Sequence, residues 1–247
     1  KPSLNLAPLK YKQVTTKGTN QNVASPLANI LKEENKKLWK IRKDSNSLFR
    51  AILDHDRSMI ERIGGGQNLE TGVVHKANRD SIDSKNQQLA READIAEETI
   101  NGVEQNEQGL DAPVYLDHDV KRQNRVHIHS SDMDPQASKL HRILMNRNSW
   151  NFKVNLNNND GSLTQFKLAV AEALGIKTDE MSNNQALKEF EKKRKTPEIK
   201  NAVESLVLQQ NGAVLNKERA DAIEAGVEEG GEDFHSLDGL LSLAQKE

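Results

Sequence analysis

Between Asp80 and Val103 the side of a helix that can face inward carries only Ile82, Leu89, Ala93, Ala96, Ile100 and Val103. Recurrence at three, four and seven residues predicts a long amphipathic helix, and so narrow a stripe can cover one neighbour while the rest faces water. The same economy runs through the chain. Apolar residues make up 35% of 247 and aromatics 4%, against 29% charged, so thin cores and long solvated helices are expected. No run of 18 apolar residues occurs, which excludes a membrane-spanning helix, and the N-terminus lacks the apolar core of a signal peptide. Zero cysteines exclude disulfides, zinc–thiolate sites and thiol nucleophiles, and fit a reducing cytoplasm. The first residue is Lys1 rather than Met, which suggests a processed or excised segment.

Residues 1–24, rich in Lys, Thr, Asn and Gln without a sustained period, read as an extended or disordered arm. Ser25-Pro26 reads as a helix start, with Leu27, Ile30, Leu31, Leu38 and Ile41 following on its inner side. A second helix carries Leu48, Ile52, Met59, Ile60 and Ile63 and stops at Gly64-Gly65-Gly66. With the 80–103 helix these make 25–108 a helical arm. The texture changes at Gly109. Pro113 to Leu116 and Arg125 to His129 read as two short strands, Phe152 to Leu156 as a third, and Asp134 to Met145 as a short helix. Further helices are predicted from Leu163 to Leu174, from Thr196-Pro197 through Gln209, and from near Ser236. The expected class is α+β with helices dominant, 109–247 forming the second part.

Lys121 to Lys153 reverses the local charge. Lys121, Arg122, Arg125, Lys139, Arg142, Arg147 and Lys153 against Asp132 and Asp134 give plus five in a chain of net minus two, so the remainder sums to minus seven. Clustered cations in an acidic chain are the electrostatic footprint of a polyanion site. Strand alternation puts Arg125, His127 and His129 on one face and Val126 with Ile128 on the other. Gln136, Lys139 and Arg142 recur at a spacing of three, which on a helix is one face. An amide, an ammonium and a guanidinium converging from a strand and a helix N-terminus could hold phosphates and sugar hydroxyls; a solvated charged surface is the alternative.

Other patterns compete. Asp44-Ser45-Asn46-Ser47-Leu48-Phe49-Arg50-Ala51 resembles the D-G-N-C-L-F-R-A signature of ovarian-tumour-type deubiquitinases, with Ser47 where the nucleophilic cysteine stands; such a protein would be an inactive ubiquitin-binding module. His235, in Phe234-His235-Ser236, reads as part of a helix cap rather than as a catalytic base. The glycine triplet follows a helix and no Lys-Ser or Lys-Thr succeeds it, so a helix stop is expected over a phosphate loop. His118, His127 and His129 with Asp117 and Asp119 have metal-ligand chemistry, but their convergence is not set by spacing, and no metal site is assigned. Lys192 to Lys195, opposed by Glu189 and Glu191, reads as a helix end facing water.

Taken in order, these elements resemble the virion-packaged RNA polymerases of the coliphage N-four type in the Schitoviridae, a divergent branch of the single-subunit phage RNA polymerases. Pro113-Val114-Tyr115 followed by Lys121 to Arg125 is similar to the strand and T-x-x-G-R motif that opens the palm, with Lys121 in place of Thr and Asn124 in place of Gly. Asp134-Pro135-Gln136-Ala137-Ser138-Lys139-Leu140-His141-Arg142 resembles N-P-Q-S-x-K-L-x-R, and Phe166 to Lys177 resembles F-x-x-x-x-A-x-A-L-x-I-K. The resemblance implies a thumb-like arm over 25–108 and the N-terminal palm over 109–247. It implies template or hybrid contacts by Arg125, Arg122 and Lys121, and nucleotide- or hybrid-phosphate contacts by Lys139, Arg142 and Gln136. The implied partners are a DNA template, an RNA product, ribonucleoside triphosphates and the remaining palm and fingers. Magnesium and the catalytic aspartates are expected on segments outside this chain, which alone would not polymerise. The implied location is the phage virion and then the host bacterial cytoplasm. A noncatalytic nucleic-acid-binding structural protein is the remaining alternative.

Overall fold

The computed structural model describes residues 25–64, 76–120, 126–128, 130, 132–147, 153–157, 160–231 and 233–245. The arm expected over 1–24 lies outside them, as do Gly65 and Gly66. The chain divides into two compact units, one of residues 1–42 with 92–151 and the other of 43–91 with 152–247. Both contain helices and the first also contains sheet, so the class is α+β with helices dominant.

The first unit holds α1 (Ser25–Glu34), β1 (Leu38–Ile41), the later part of α4 (Lys76–Glu104), β2 (Val114–Tyr115), β3 (His118–Val120), β4 (Val126–Ile128), α5 (Lys139–Leu144) and β5 (Met145–Arg147). The helix expected to run from Pro26 to Ile41 ends instead at Glu34. Leu38 to Ile41 alternates half-buried and buried residues, and β1 becomes the centre of an antiparallel sheet ordered β2-β1-β5. Trp39 pairs with Val114 on one side and Arg147 on the other. Backbone pairing on both edges, with Trp39 and Ile41 buried, outweighs the local continuation of a helix. The expected boundary between residues 108 and 109 therefore falls inside this unit, because β1 lies before it and its partners after it.

The long helix is present, with Leu89, Ala93, Ala96, Ile100 and Val103 buried and Ile82 half-buried. In the first unit its later stripe joins a core that includes Leu31, Val114, Leu116, Met133, Leu140 and Leu144. Asn35 fastens the turn after α1 to β3, its Oδ1 accepting from the backbone N–H of His118 at 2.9 Å and from His118 Nδ1 at 3.0 Å. Burial holds the His118 imidazole below its ordinary pKa. One further expectation fails. Residues 153–156 form no strand, since the Asn155 N–H goes to Ser162 Oγ at 2.7 Å and Val154 and Leu156 are exposed; the third strand is β5.

Glu34 accepts hydrogen bonds from Lys37 and Arg147, and the Arg147 guanidinium sits 5.7 Å from the centre of the Trp39 ring. Burial by itself would raise the Glu34 carboxyl, but the Lys37 and Arg147 hydrogen bonds outweigh it and hold it below the ordinary 4.5. A carboxylate lowered on folding stabilises the fold above its unfolded pKa, and that contribution fades as pH falls below 4.5 through the folded value. Glu34→Gln is expected to cost about 1 kcal/mol at neutral pH and to flatten this acid limb. Urea midpoints measured on either side of the transition check it; identical acid sensitivity in the variant would remove the pair from the account.

The second unit is helical: α2 (Lys43–His55), α3 (Met59–Ile63), the start of α4, α6 (Ser162–Ala173), α7 (Asn183–Lys193), α8 (Pro197–Gln210), α9 (Lys217–Gly230) and α10 (Phe234–Ala244). The single helix expected over 48–63 is two, because Asp56 Oδ1 takes the N–H and the hydroxyl of Ser58 and turns the chain. Arg62 then joins α3 to α9, its Nε and Nη2 each donating to the Glu224 carboxylate at 2.8 Å. Helices α8 and α9 pack closely because Gly226 meets Ala202: a Cβ on Gly226 would lie 2.3 Å from the Ala202 Cβ. Gly226→Ala is expected to destabilise this unit by about 1–3 kcal/mol through overpacking, a shift readable as a lowered denaturation midpoint. An unchanged midpoint would mean the helices separate at little cost.

Helices α7 and α9 are absent from the sequence expectation, apart from the solvated end of α7 at Lys192 and Lys193. The signals for α9 exist: Asn216 caps it by accepting from the Arg219 N–H at 3.0 Å, and Ala220, Ile223 and Val227 form its buried stripe. Among the described residues no helix is long and apolar enough to cross a membrane.

Candidate nucleic-acid interface

Asp134 starts the local structure around α5. Its Oδ1 accepts from the N–H groups of Gln136 at 2.8 Å and Ala137 at 3.1 Å, so residues 134–137 close into a turn. The helix expected from Asp134 to Met145 is thereby shortened to Lys139–Leu144, and Met145 leaves it with extended backbone to enter β5. Ser138 is the cap, its Oγ accepting from the His141 N–H at 3.2 Å. With six residues and a capped first turn, α5 does not supply the open helix N-terminus that the sequence suggested as a phosphate binder.

His141 is 3% exposed and holds this turn in place. Its Nδ1 accepts from the Asp134 N–H at 3.0 Å, which puts the ring proton on Nε2, and Nε2 donates to the Glu92 carbonyl at 2.9 Å. The Ser138 hydroxyl donates to the Glu92 carboxylate at 2.5 Å. Serine, histidine and glutamate thus meet, but both ring nitrogens serve backbone groups and neither receives the serine proton. The group is a scaffold rather than a nucleophile and base. Sequence offered no signal for it beyond a serine at a capping position.

On that scaffold Gln136, Lys139 and Arg142 are all exposed. Lys139 and Arg142 lie on α5, whereas Gln136 lies in the turn before it. Arg142 folds back over this turn, its Nε donating to the Pro135 carbonyl at 3.0 Å and its Nη2 to the Gln136 carbonyl at 3.4 Å. Two of five guanidinium N–H groups are used in these bonds. Gln136 Oε1 accepts from the Ile128 N–H at 2.9 Å, joining the turn to β4. Strand β4 pairs with β3 in the register His118 with Ile128, Asp119 with His127, and Val120 with Val126. Lys121, Arg122 and Arg125 lie outside the described residues.

Negative charge is gathered on another part of the same unit. Asp94, Glu97, Glu98, Asn101 and Gly102 on α4, with Gln105 just after it, line a cavity of about 350 Å³. Burial, with the nearby Glu98 charge, raises the Asp132 carboxyl. Phosphate is disfavoured at such a surface.

The competing sites do not assemble. Ser47 is exposed on α2 and its Oγ accepts from Gln209 Nε2 at 2.9 Å; an amide cannot take a proton from a nucleophile. The backbone N–H of His235 is capped by Asp233 Oδ1 at 2.8 Å at the start of α10. No group of three or more His, Asp or Glu side chains able to hold a metal occurs among the described residues, where His118 and His127 are found; His129 lies outside them. Gly64 ends α3, its N–H bonding to the Ile60 carbonyl at 2.9 Å.

Residues 26–145 match a family model described as a virion DNA-directed RNA polymerase domain. Residues 164–247 match a second, described as the plug insertion of virion DNA-directed RNA polymerase. No curated protein matches the chain. The first match ends at the last residue before the middle of β5, and the second begins within α6 and takes in α7 to α10.

Proposed function

This chain belongs to the virion DNA-directed RNA polymerase family and is part of a phage DNA-directed RNA polymerase; we propose that its share of the work is to hold nucleic acid by the phosphate backbone. The two family matches carry the assignment to transcription. The exposed Lys139 and Arg142 beside the stapled turn support the interface. Arg125, Arg122 and Lys121, which lie in sequence between β3 and β4, are assigned by the resemblance to the template or hybrid.

Template-directed ribonucleotidyl transfer requires magnesium held by carboxylates and cations on the triphosphate. We assign those to the remaining palm and fingers, and give this chain no catalytic residue. The thumb-like reading of 25–108 and the palm reading of 109–247 come from the resemblance. The plug match supports treating 164–247 as an inserted helical body. Packaging in the virion and action on DNA in the host cytoplasm follow from the same family reading, as do the RNA product and ribonucleoside triphosphates as ligands. An inactive ubiquitin-binding module is not favoured, since Ser47 is engaged by an amide and both matches are to polymerase.

Lys139→Ala tests the interface. It is expected to weaken binding of an RNA–DNA hybrid evenly across sequences and to reduce the slope of log affinity against log salt by about one. Equal slopes for variant and wild type would remove Lys139 from the phosphate contacts.

A further inference from the structure

Gln136 was expected to touch phosphate, yet its side-chain oxygen is committed elsewhere. An amide oxygen accepts, and phosphate offers only acceptors, so the part of Gln136 that is engaged is the part a phosphate could not use. That oxygen takes the Ile128 N–H at 2.9 Å. Ile128 is the last residue of β4, in a two-stranded sheet of β3 and β4. A pair of strands this short has little stability of its own, so one bond from outside the ladder matters to where it sits.

The other end of Gln136 is equally fixed. Its N–H goes to Asp134 Oδ1 and its carbonyl accepts from Arg142 Nη2, while Arg142 Nε holds the neighbouring Pro135 carbonyl. Asp134 in turn is tied by its N–H to buried His141, and His141 to the Glu92 carbonyl of α4. A continuous chain of bonds runs from α4 through His141, Asp134 and Gln136 to the backbone of β4, all within one compact unit.

We propose that Gln136 is a positioning residue of the polymerase: with the Arg142 staple it clasps β4 to the turn before α5, setting the strand relative to Lys139. The functional half of this proposal rests on the nucleic-acid interface reading above. Arg142 has a double part, two N–H groups stapling the turn while the exposed guanidinium presents its charge to a phosphate. The chemistry required at position 136 is therefore an acceptor of the right length, and at position 142 a planar fork rather than a charge alone.

Amide hydrogen exchange at Ile128 in the full chain reads the clasp directly. Gln136→Met, which has the length but no comparable acceptor, is expected to speed Ile128 exchange roughly fivefold or more, and Gln136→Glu to keep wild-type protection through its carboxylate. Arg142→Lys, which keeps the charge, is expected to speed it as well. Binding of an RNA–DNA hybrid by the same proteins reads the function. Gln136→Met is expected to weaken it with an unchanged salt slope, because no charge is lost. Unaltered Ile128 exchange in Gln136→Met and Arg142→Lys would overturn the clasp. Faster exchange with unchanged hybrid affinity would overturn the positioning role. Failure of the wild-type chain to bind hybrid at low salt would defeat the interface reading, and with it that role, while the exchange result still decided the clasp.

Discussion

Phe234→Ala is expected to destabilise the helical unit by about 3–5 kcal/mol, the range for emptying a large aromatic site in a core. Phe234 is 1% exposed at the first position of α10, a helix that packs on α6, α8 and α9. Removing its ring strips contacts where four helices share a core short of aromatic residues. The start of the helix is fixed by Asp233, whose Oδ1 accepts from the N–H groups of His235 and Ser236, so the backbone cannot easily move to fill the void. Leu208→Ala is the control: Leu208 is 47% exposed, and its truncation is expected to change stability by no more than about 0.5 kcal/mol. Urea denaturation of the two variants decides between them. A loss under about 1 kcal/mol for Phe234→Ala would mean that α10 is not seated where its burial places it.

Arg125→Ala in the assembled polymerase is expected to lose transcription while the chain keeps its fold. One charge-assisted hydrogen bond to phosphate contributes about 1.5–3 kcal/mol, which corresponds to a roughly 10- to 150-fold fall in the step that depends on it. Normal far-ultraviolet circular dichroism with defective elongation is the expected pair of results. Elongation at the wild-type rate would take Arg125 out of the nucleic-acid interface. Because Lys121 and Asn124 stand where the resembled motif has Thr and Gly, Arg125 is the residue of that motif with the strongest claim on the role.

The elements most legible in sequence were those whose signal is local and repeated. The stripe from Leu89 to Val103 gave α4, Thr196-Pro197 gave the start of α8, and Gly64 gave the end of α3. Strand β1 reads as helix in sequence because Leu38 and Ile41 also fit a helical spacing after Leu31, and nothing nearby in sequence shows that β2 and β5 will pair with it. At the candidate site, the residue types and their charge were readable. Their division of labour was not, since the bond from Gln136 Oε1 to Ile128 crosses eight residues and the Ser138 and His141 anchors reach Glu92, more than forty residues away.

Sequence by itself determined the helix-rich class, the thinness of the cores, the concentration of cations between Lys121 and Lys153, and the motifs that resemble a phage RNA polymerase. These depend on composition and short-range order, which each stretch of chain carries with it. Only tertiary structure decided that β1 is a central strand, that α5 is short and capped, and that the Gln136 side-chain oxygen takes the Ile128 backbone N–H. Backbone donors and acceptors must find partners wherever burial takes them, and which partners are available is a property of the packed molecule.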